Sequence, residues 1–229
     1  MKDFFKNNAL FFTLWTITFA LLGILIYVIP KAELHLQMNA YHNHVFDIFF
    51  KSFTTIAEYG LFVLVFILLF VKVGPALYLA ISGLSSTIII QIIKHIVNAP
   101  RPKLFFENIG SFDMLPIVEG VNMHSHHSFP SGHTTTFFVI FGGLSVVLTY
   151  YLCKNNKNNI AYFIQFICFC LAILGAYSRI YLSQHFATDV FAGGTIAMVC
   201  LIAYYPLLNW LAQKHEKLFN YKIPIYKQK

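Results

Sequence analysis

Charge is scarce in this sequence. Only 11% of its 229 residues are Asp, Glu, Lys or Arg, against roughly a quarter in a soluble domain. Acids are the rarer sign, with nine Asp and Glu against 16 Lys and Arg. Hydrophobic residues reach 58%, too many for one water-soluble core, so the chain reads as an integral membrane protein of one domain, residues 1–229. Cysteine is also sparse. Cys153, Cys168, Cys170 and Cys200 all fall in or beside apolar runs. No spaced framework in a loop is available for disulfides or a thiolate metal site, which leaves them as small apolar packing residues. Internal repeats and low-complexity stretches are absent as well.

What the sequence does have is long apolar runs. A spanning helix needs roughly 20 mostly apolar residues. Six stretches qualify, at about 11–29, 55–73, 76–97, 134–153, 160–177 and 190–210. The fold class expected is therefore all-α, a six-helix membrane bundle. Lys2 and Lys6 precede the first run as in a signal peptide. That run is long for such a segment and no small-residue cleavage site follows cleanly, so a retained first span is expected.

The net charge of +7 first suggests a nucleic-acid partner, but the placement of the charges points elsewhere. Lys2, Lys6, Lys72, Lys154, Lys157, Lys214, Lys217, Lys222, Lys227 and Lys229 fall on one side of the spans, with only Asp3 and Glu216 as acids. Lys31, Lys51, Lys94, Arg101, Lys103 and Arg179 fall on the other. They share it with Glu33, Asp47, Glu58, Glu107, Asp113, Glu119 and Asp189. The lysine-rich side, with both termini, is expected in the cytoplasm. The excess charge is thus a topology signal and requires no nucleic acid. Between the first two spans, Phe46, Phe49, Phe50 and Phe53 recur at helical spacing, with Asp47 and Lys51 off the stripe. A short amphipathic helix follows from that pattern. It either lies on the outer leaflet or caps the bundle, because periodicity does not tell lipid from protein as the apolar partner.

Three polar clusters share the outer face. In KHIVNAPRP, Lys94 ends the third span, and Pro100 and Pro102 stop the helix and hold Arg101 in an extended turn. In HSFPSGHTTT, Pro130, Ser131, Gly132 and His133 open the fourth span. A helix N-terminus exposes unpaired N–H groups, glycine admits an anion closely, and Ser131 can cap or donate. In SRIYLSQHFATD, Ser178, Arg179, His185 and Asp189 surround the start of the sixth span. Lys94, Arg101 and Arg179 have no obvious local acidic partner, which suits a bound phosphate. His185 and Asp189 stand at i and i+4, and on a helix that spacing puts both on one face. A carboxylate there holds one imidazole nitrogen as N–H and frees the other lone pair.

Taken together, the clusters read K-x6-RP, PSGH and SR-x5-H-x3-D. This resembles the type 2 phosphatidic acid phosphatase (PAP2) superfamily, which also includes glucose-6-phosphatase and the vanadium haloperoxidases. Every spacing matches, and the likeness extends over about residues 56–208. The resemblance implies a membrane phosphatase in which His185 attacks phosphorus, Asp189 orients it, and His133 serves as acid and then base. Lys94, Arg101, Ser131, Gly132 and Arg179 would hold the phosphate oxygens, with no metal and no other cofactor. The implied substrate is a lipid phosphate or diphosphate at the outer face of the cytoplasmic membrane: undecaprenyl diphosphate, phosphatidylglycerol phosphate, phosphatidate or lipid A. A non-hydrolytic lipid binder or transporter would need the cations but not the histidine pair. His124, His126 and His127 with His133 form a possible metal cluster, but no acid or cysteine ligand stands at defined spacing, and a solvated loop is expected. Haloperoxidase activity is disfavoured by the six spans.

Overall fold

The computed structural model describes residues 2–221, with side chains from residue 4 onward. The lysines at 222, 227 and 229 that entered the topology reading lie outside the described residues. Within these bounds all regular structure is helical. In chain order it comprises α1 (Lys2–Asn7), α2 (Ala9–Val28), α3 (Lys31–Met38), α4 (His44–Phe53), α5 (Ile56–Val71) and α6 (Val73–Val97). Next come α7 (Pro102–Asn108), a 3-10 turn (Phe112–Met114), α8 (Gly132–Lys154), α9 (Asn158–Tyr181), α10 (Ala187–Lys214) and α11 (Glu216–Phe219).

Five stretches, those carrying α2, α6, α8, α9 and α10, are long and apolar enough to cross a membrane alone. The second expected span differs. α5 has 16 residues, a rise of about 24 Å, short of a hydrocarbon core of roughly 30 Å. It reaches spanning length only together with α4, from which it is bent by 42°. Ser52, Thr54 and Thr55 lie at or beside the break, and the Thr55 hydroxyl donates to the Ser52 carbonyl at 2.7 Å. At the far end Lys72 is extended (φ −159°, ψ 127°) and stops α5. Pro75 then falls in the first turn of α6, where a proline removes no helical hydrogen bond.

The amphipathic helix α4 resolves both alternatives at once. Phe50 packs on Tyr177 and Tyr181, and Phe53 stacks on Phe137 at 5.3 Å. Phe46 and Phe49 on the same helix stay exposed. One part of the stripe thus caps the bundle and the other faces outward.

α8 is the central helix and touches α5, α6, α9 and α10. In lipid, close contact between helices relies on small residues rather than on the hydrophobic effect. A Cβ on Gly175 of α9 would run into the ring of Phe137 on α8. At the end where α8 begins, a Cβ on Gly193 of α10 would meet the carbonyl of Ser131, and Thr135 bonds both the Ser131 and the Gly193 carbonyls. α10 is thereby drawn against the first turn of α8. Some interior polar groups pair across helices, as with Tyr78 Oη donating to the Leu201 carbonyl at 2.9 Å, while among the described residues the Ser82, Ser145 and Thr149 hydroxyls are buried without a partner. Cys168 and Cys200 are buried, Cys153 and Cys170 partly so, and all four are free thiols.

Replacing Gly175 with Ala should lower the thermal midpoint of the detergent-purified protein, equivalent to about 1–3 kcal/mol of overpacking. Gly23→Ala, whose added Cβ finds its nearest neighbour at an ordinary 3.5 Å, should leave the midpoint unchanged.

Candidate active site

One end of the bundle gathers the three sequence clusters. α6 stops at Asn98, which is left-handed (φ 42°, ψ 44°) and returns its N–H to the Lys94 carbonyl. Arg101 follows in extended conformation as the residue before α7, with Pro102 opening that helix. The predicted proline-fixed turn is therefore present. Its guanidinium is held from two sides: Nε donates to the His126 carbonyl at 3.0 Å, and Nη1 to the backbone and side-chain oxygens of Gln184. Lys94 is half-buried in the last turn of α6, within electrostatic reach of Arg101, Arg179 and Asp189. Arg179, in the last turn of α9, is 5% exposed. Its Nη1 donates to Thr54 Oγ1, and its Nε is buried without a partner. Among the described residues, none of these three cations forms an ion pair with a carboxylate.

Ser131 caps α8. Its Oγ accepts from the Thr134 N–H and the Thr134 hydroxyl, and its own N–H donates to the Asp189 carbonyl at 3.0 Å. Gly132 and His133 are then the first two helical residues, whose N–H groups have no acceptor within the helix. A helix start of this kind attracts anions. The His133 imidazole faces Glu58 of α5, with Nε2 3.8 Å from the carboxylate.

His185 and Asp189 do meet, with Nδ1 3.4 Å from Oδ2 and both side chains 1% exposed. The route differs from the expected shared helix face. α10 begins at Ala187, so His185 lies in the loop before it and Asp189 is the third helical residue. Asp189 Oδ2 accepts the N–H of Phe186, the residue before the helix, at 3.0 Å. That bond folds the loop back, and the imidazole reaches the carboxylate through the turn. The Ser128 hydroxyl donates to the same oxygen, and Thr188 to the other. With Nδ1 turned toward Asp189, Nε2 is left for other chemistry. Burial, reinforced by Arg101 and Arg179 and opposed by Asp189, pushes the His185 pKa down to about 3, so the imidazole is neutral.

A pocket of about 260 Å³ opens at this end of the bundle, and His185, Asp189, Lys94, Ser131 and Gly132 are not among its lining residues. Arg101, Arg179, His133, Glu58, Thr54 and His124 are on its walls. The other histidines of the loop diverge. His126 offers its carbonyl to Arg101, and His127 turns its Nδ1 to the Lys94 carbonyl and its ring to His95. Among the described residues no three His, Cys, Asp or Glu side chains are gathered as a metal site. His124, beside Arg101, Arg179 and Lys94, has its pKa lowered by burial and by those cations.

Four contributors escaped the sequence reading: Glu58, Thr54, Ser128 and Gln184. Glu58 had a usable signal, a lone acid at the mouth of an apolar span. Ser128 and Gln184 had none, because a serine or glutamine in a loop is unremarkable until its partner is known.

The match to known proteins agrees with this geometry. Residues 75–213 match the model of the PAP2 superfamily. More than half of the chain is covered, and the protein belongs to that superfamily. The crystal structure of LpxE from Aquifex aeolicus is similar, with a TM-score of 0.59 and 28% sequence identity. The alignment covers 78% of this chain and 96% of that one. No curated protein matches. Family and neighbour together support a lipid phosphatase on a multi-pass, all-helical membrane scaffold.

Ser128→Ala removes a buried hydrogen bond to an ionised carboxylate, a loss of about 1.5–3 kcal/mol. The thermal midpoint of the purified protein should fall accordingly, whereas Ser52→Ala, at an exposed position, should not change it.

Proposed function

We propose that the protein is a metal-independent membrane phosphatase that hydrolyses a lipid phosphate or diphosphate through a phosphohistidine. The observation that carries this reading is the pocket itself. Two arginines free of carboxylate ion pairs and the His133 imidazole line it, and a neutral, Asp-held His185 is buried beside Arg101 and Arg179.

In the first step the lone pair of His185 Nε2 forms a bond to phosphorus as the ester or anhydride P–O bond breaks. His133 gives its proton to the departing oxygen. Asp189 keeps Nδ1 as N–H and balances the charge that develops on the ring. In the second step His133 takes a proton from water, the water oxygen bonds to phosphorus, and the P–N bond breaks. Lys94, Arg101 and Arg179, with the N–H groups at Gly132 and the cap at Ser131, hold the phosphate oxygens. Fixed donors of this kind stabilise the charge of the transition state without reorganising. Among the described residues these cations lack carboxylate ion pairs that would compete with a phosphate for them.

The reading extends to location. Lys72, Lys154, Lys157 and Lys214 lie at the helix ends opposite the pocket. On this reading the lysine-rich side is cytoplasmic, with both termini inside, and the pocket belongs to the periplasmic or extracellular face of the cytoplasmic membrane. Undecaprenyl diphosphate, phosphatidylglycerol phosphate, phosphatidate and lipid A are the substrates to try.

The deciding measurement is phosphate release from each of these lipids by detergent-purified protein in excess EDTA. Release should survive EDTA and vanish in His185→Ala, while His133→Ala should slow it by about 10²–10⁴-fold. Loss of activity in EDTA would favour a metal at the His124–His133 loop instead. Absence of release from every lipid, with lipid still bound, would favour a non-hydrolytic binder.

A further inference from the structure

The motif residues leave α3 without a role. Yet Lys31, His35 and Asn39, the last being its C-cap residue, stand four apart and so share one face. That face lies along the loop that carries His185. Lys31 Nζ sits 3.9 Å above the ring of Phe186, and the ring of His35 meets the same phenyl edge-on at 5.1 Å. Asn39 Nδ2 donates to Ser183 Oγ at 2.6 Å, and Ser183 Oγ donates in turn to the Pro116 carbonyl at 2.8 Å. The loop is therefore gripped at 183 and at 186, on both sides of His185.

Each grip meets a need. Ser183 is left-handed, with φ 51°. A non-glycine residue keeps such a conformation only where its surroundings over-determine it, and here its hydroxyl has two fixed partners. Phe186 supplies the N–H that holds Asp189 Oδ2. Any shift of Phe186 moves the carboxylate that faces His185 Nδ1. Asn39 is itself anchored, since its Oδ1 meets His42 Nε2 at 2.7 Å, and Tyr177 Oη holds the neighbouring Met38 carbonyl at 2.9 Å.

His35 is the unusual member. It is 1% exposed, and among the described residues neither ring nitrogen has a hydrogen-bond partner. Burying an unpaired imidazole is unfavourable, and a leucine there would avoid that cost. Burial pushes its pKa down to about 4, with Asp189 opposing and Lys31 assisting. The ring therefore acts as a neutral aromatic plate against Phe186, and the charge on this face is that of Lys31.

We infer that α3 is a brace for the nucleophile loop, in which Lys31, His35 and Asn39 are positioning residues that set the aim of His185 without touching the phosphate pocket. The inference rests on His185 being the nucleophile.

The test uses the full chain in detergent and, of the four lipids named above, whichever the wild type hydrolyses fastest. Lys31→Met, His35→Leu and Asn39→Ala should each reduce kcat by about ten- to a hundredfold, as expected for a misaimed reacting group. KM should stay close to the wild-type value, and Lys31→Arg should recover most of the rate. In parallel, hydrogen exchange followed by mass spectrometry should show faster exchange in peptides covering 178–190 and none in those covering α8. Wild-type kcat together with wild-type exchange in all three variants would overturn the brace. So would a rate loss that tracks a fall in thermal midpoint and that Lys31→Arg fails to recover. Should the wild-type protein release no phosphate from any lipid, the phosphatase reading fails by itself, and the exchange measurement still decides whether α3 holds the loop.

Discussion

The Asp189 carboxylate is buried where three parts of one end of the bundle meet. It accepts from Ser128 in the loop before α8 and from the Phe186 N–H, and it faces His185. The carbonyl of the same residue accepts the N–H of Ser131, the cap of α8. One residue thus fixes the entry of α8, the start of α10 and the tautomer of the histidine between them. A buried anion without such partners would be costly. With them, the cost becomes a reason for the local structure to keep a single arrangement. Gly193 makes the convergence possible, because any side chain there would push α10 away from the Ser131 carbonyl.

The cations obey the opposite logic. Arg101 and Arg179 are held by neutral groups, namely carbonyls, a glutamine and a threonine hydroxyl. Neutral acceptors orient a guanidinium without cancelling its charge. Glu58 faces His133 and stays within electrostatic reach of Arg179, and Asp189 within reach of Lys94 and Arg101. With three cations against the carboxylates of Glu58 and Asp189, the site keeps a net positive field, which favours an anionic ligand. Beneath that field the neutral state of His185 follows from burial first and from the neighbouring arginines second.

Much of this was legible in the sequence, and for identifiable reasons. The long apolar runs gave the helices, since length and hydrophobicity are local properties. The proline pair around Arg101 gave an extended turn because proline restricts its own backbone and that of its predecessor. The His185–Asp189 pair was correctly joined but through the wrong geometry: i, i+4 spacing suits a helix face, whereas here the helix starts between the two residues. The second span was read as starting at Thr55 and crossing alone, whereas α5 reaches spanning length only with α4, across a bend at the threonines at 54 and 55, one of which is needed by Arg179. Ser128, Gln184 and the face of α3 stayed invisible because their partners lie 61, 83 and more than 140 positions away.

The bend between α4 and α5 has a consequence for which molecules the protein encounters. Lys51, in the last turn of α4, lines the pocket, while Phe46, Ile48 and Phe49 on the same helix are exposed and apolar. The doorway is therefore two-toned, wet on one jamb and oily on the other. An amphiphile resting at a membrane boundary matches both jambs in the posture it already has. A freely dissolved phosphate ester matches only one, and has to leave bulk water to do so. If the pocket acts on a lipid phosphate as proposed, selection begins with where a molecule resides, before any feature of its shape is read.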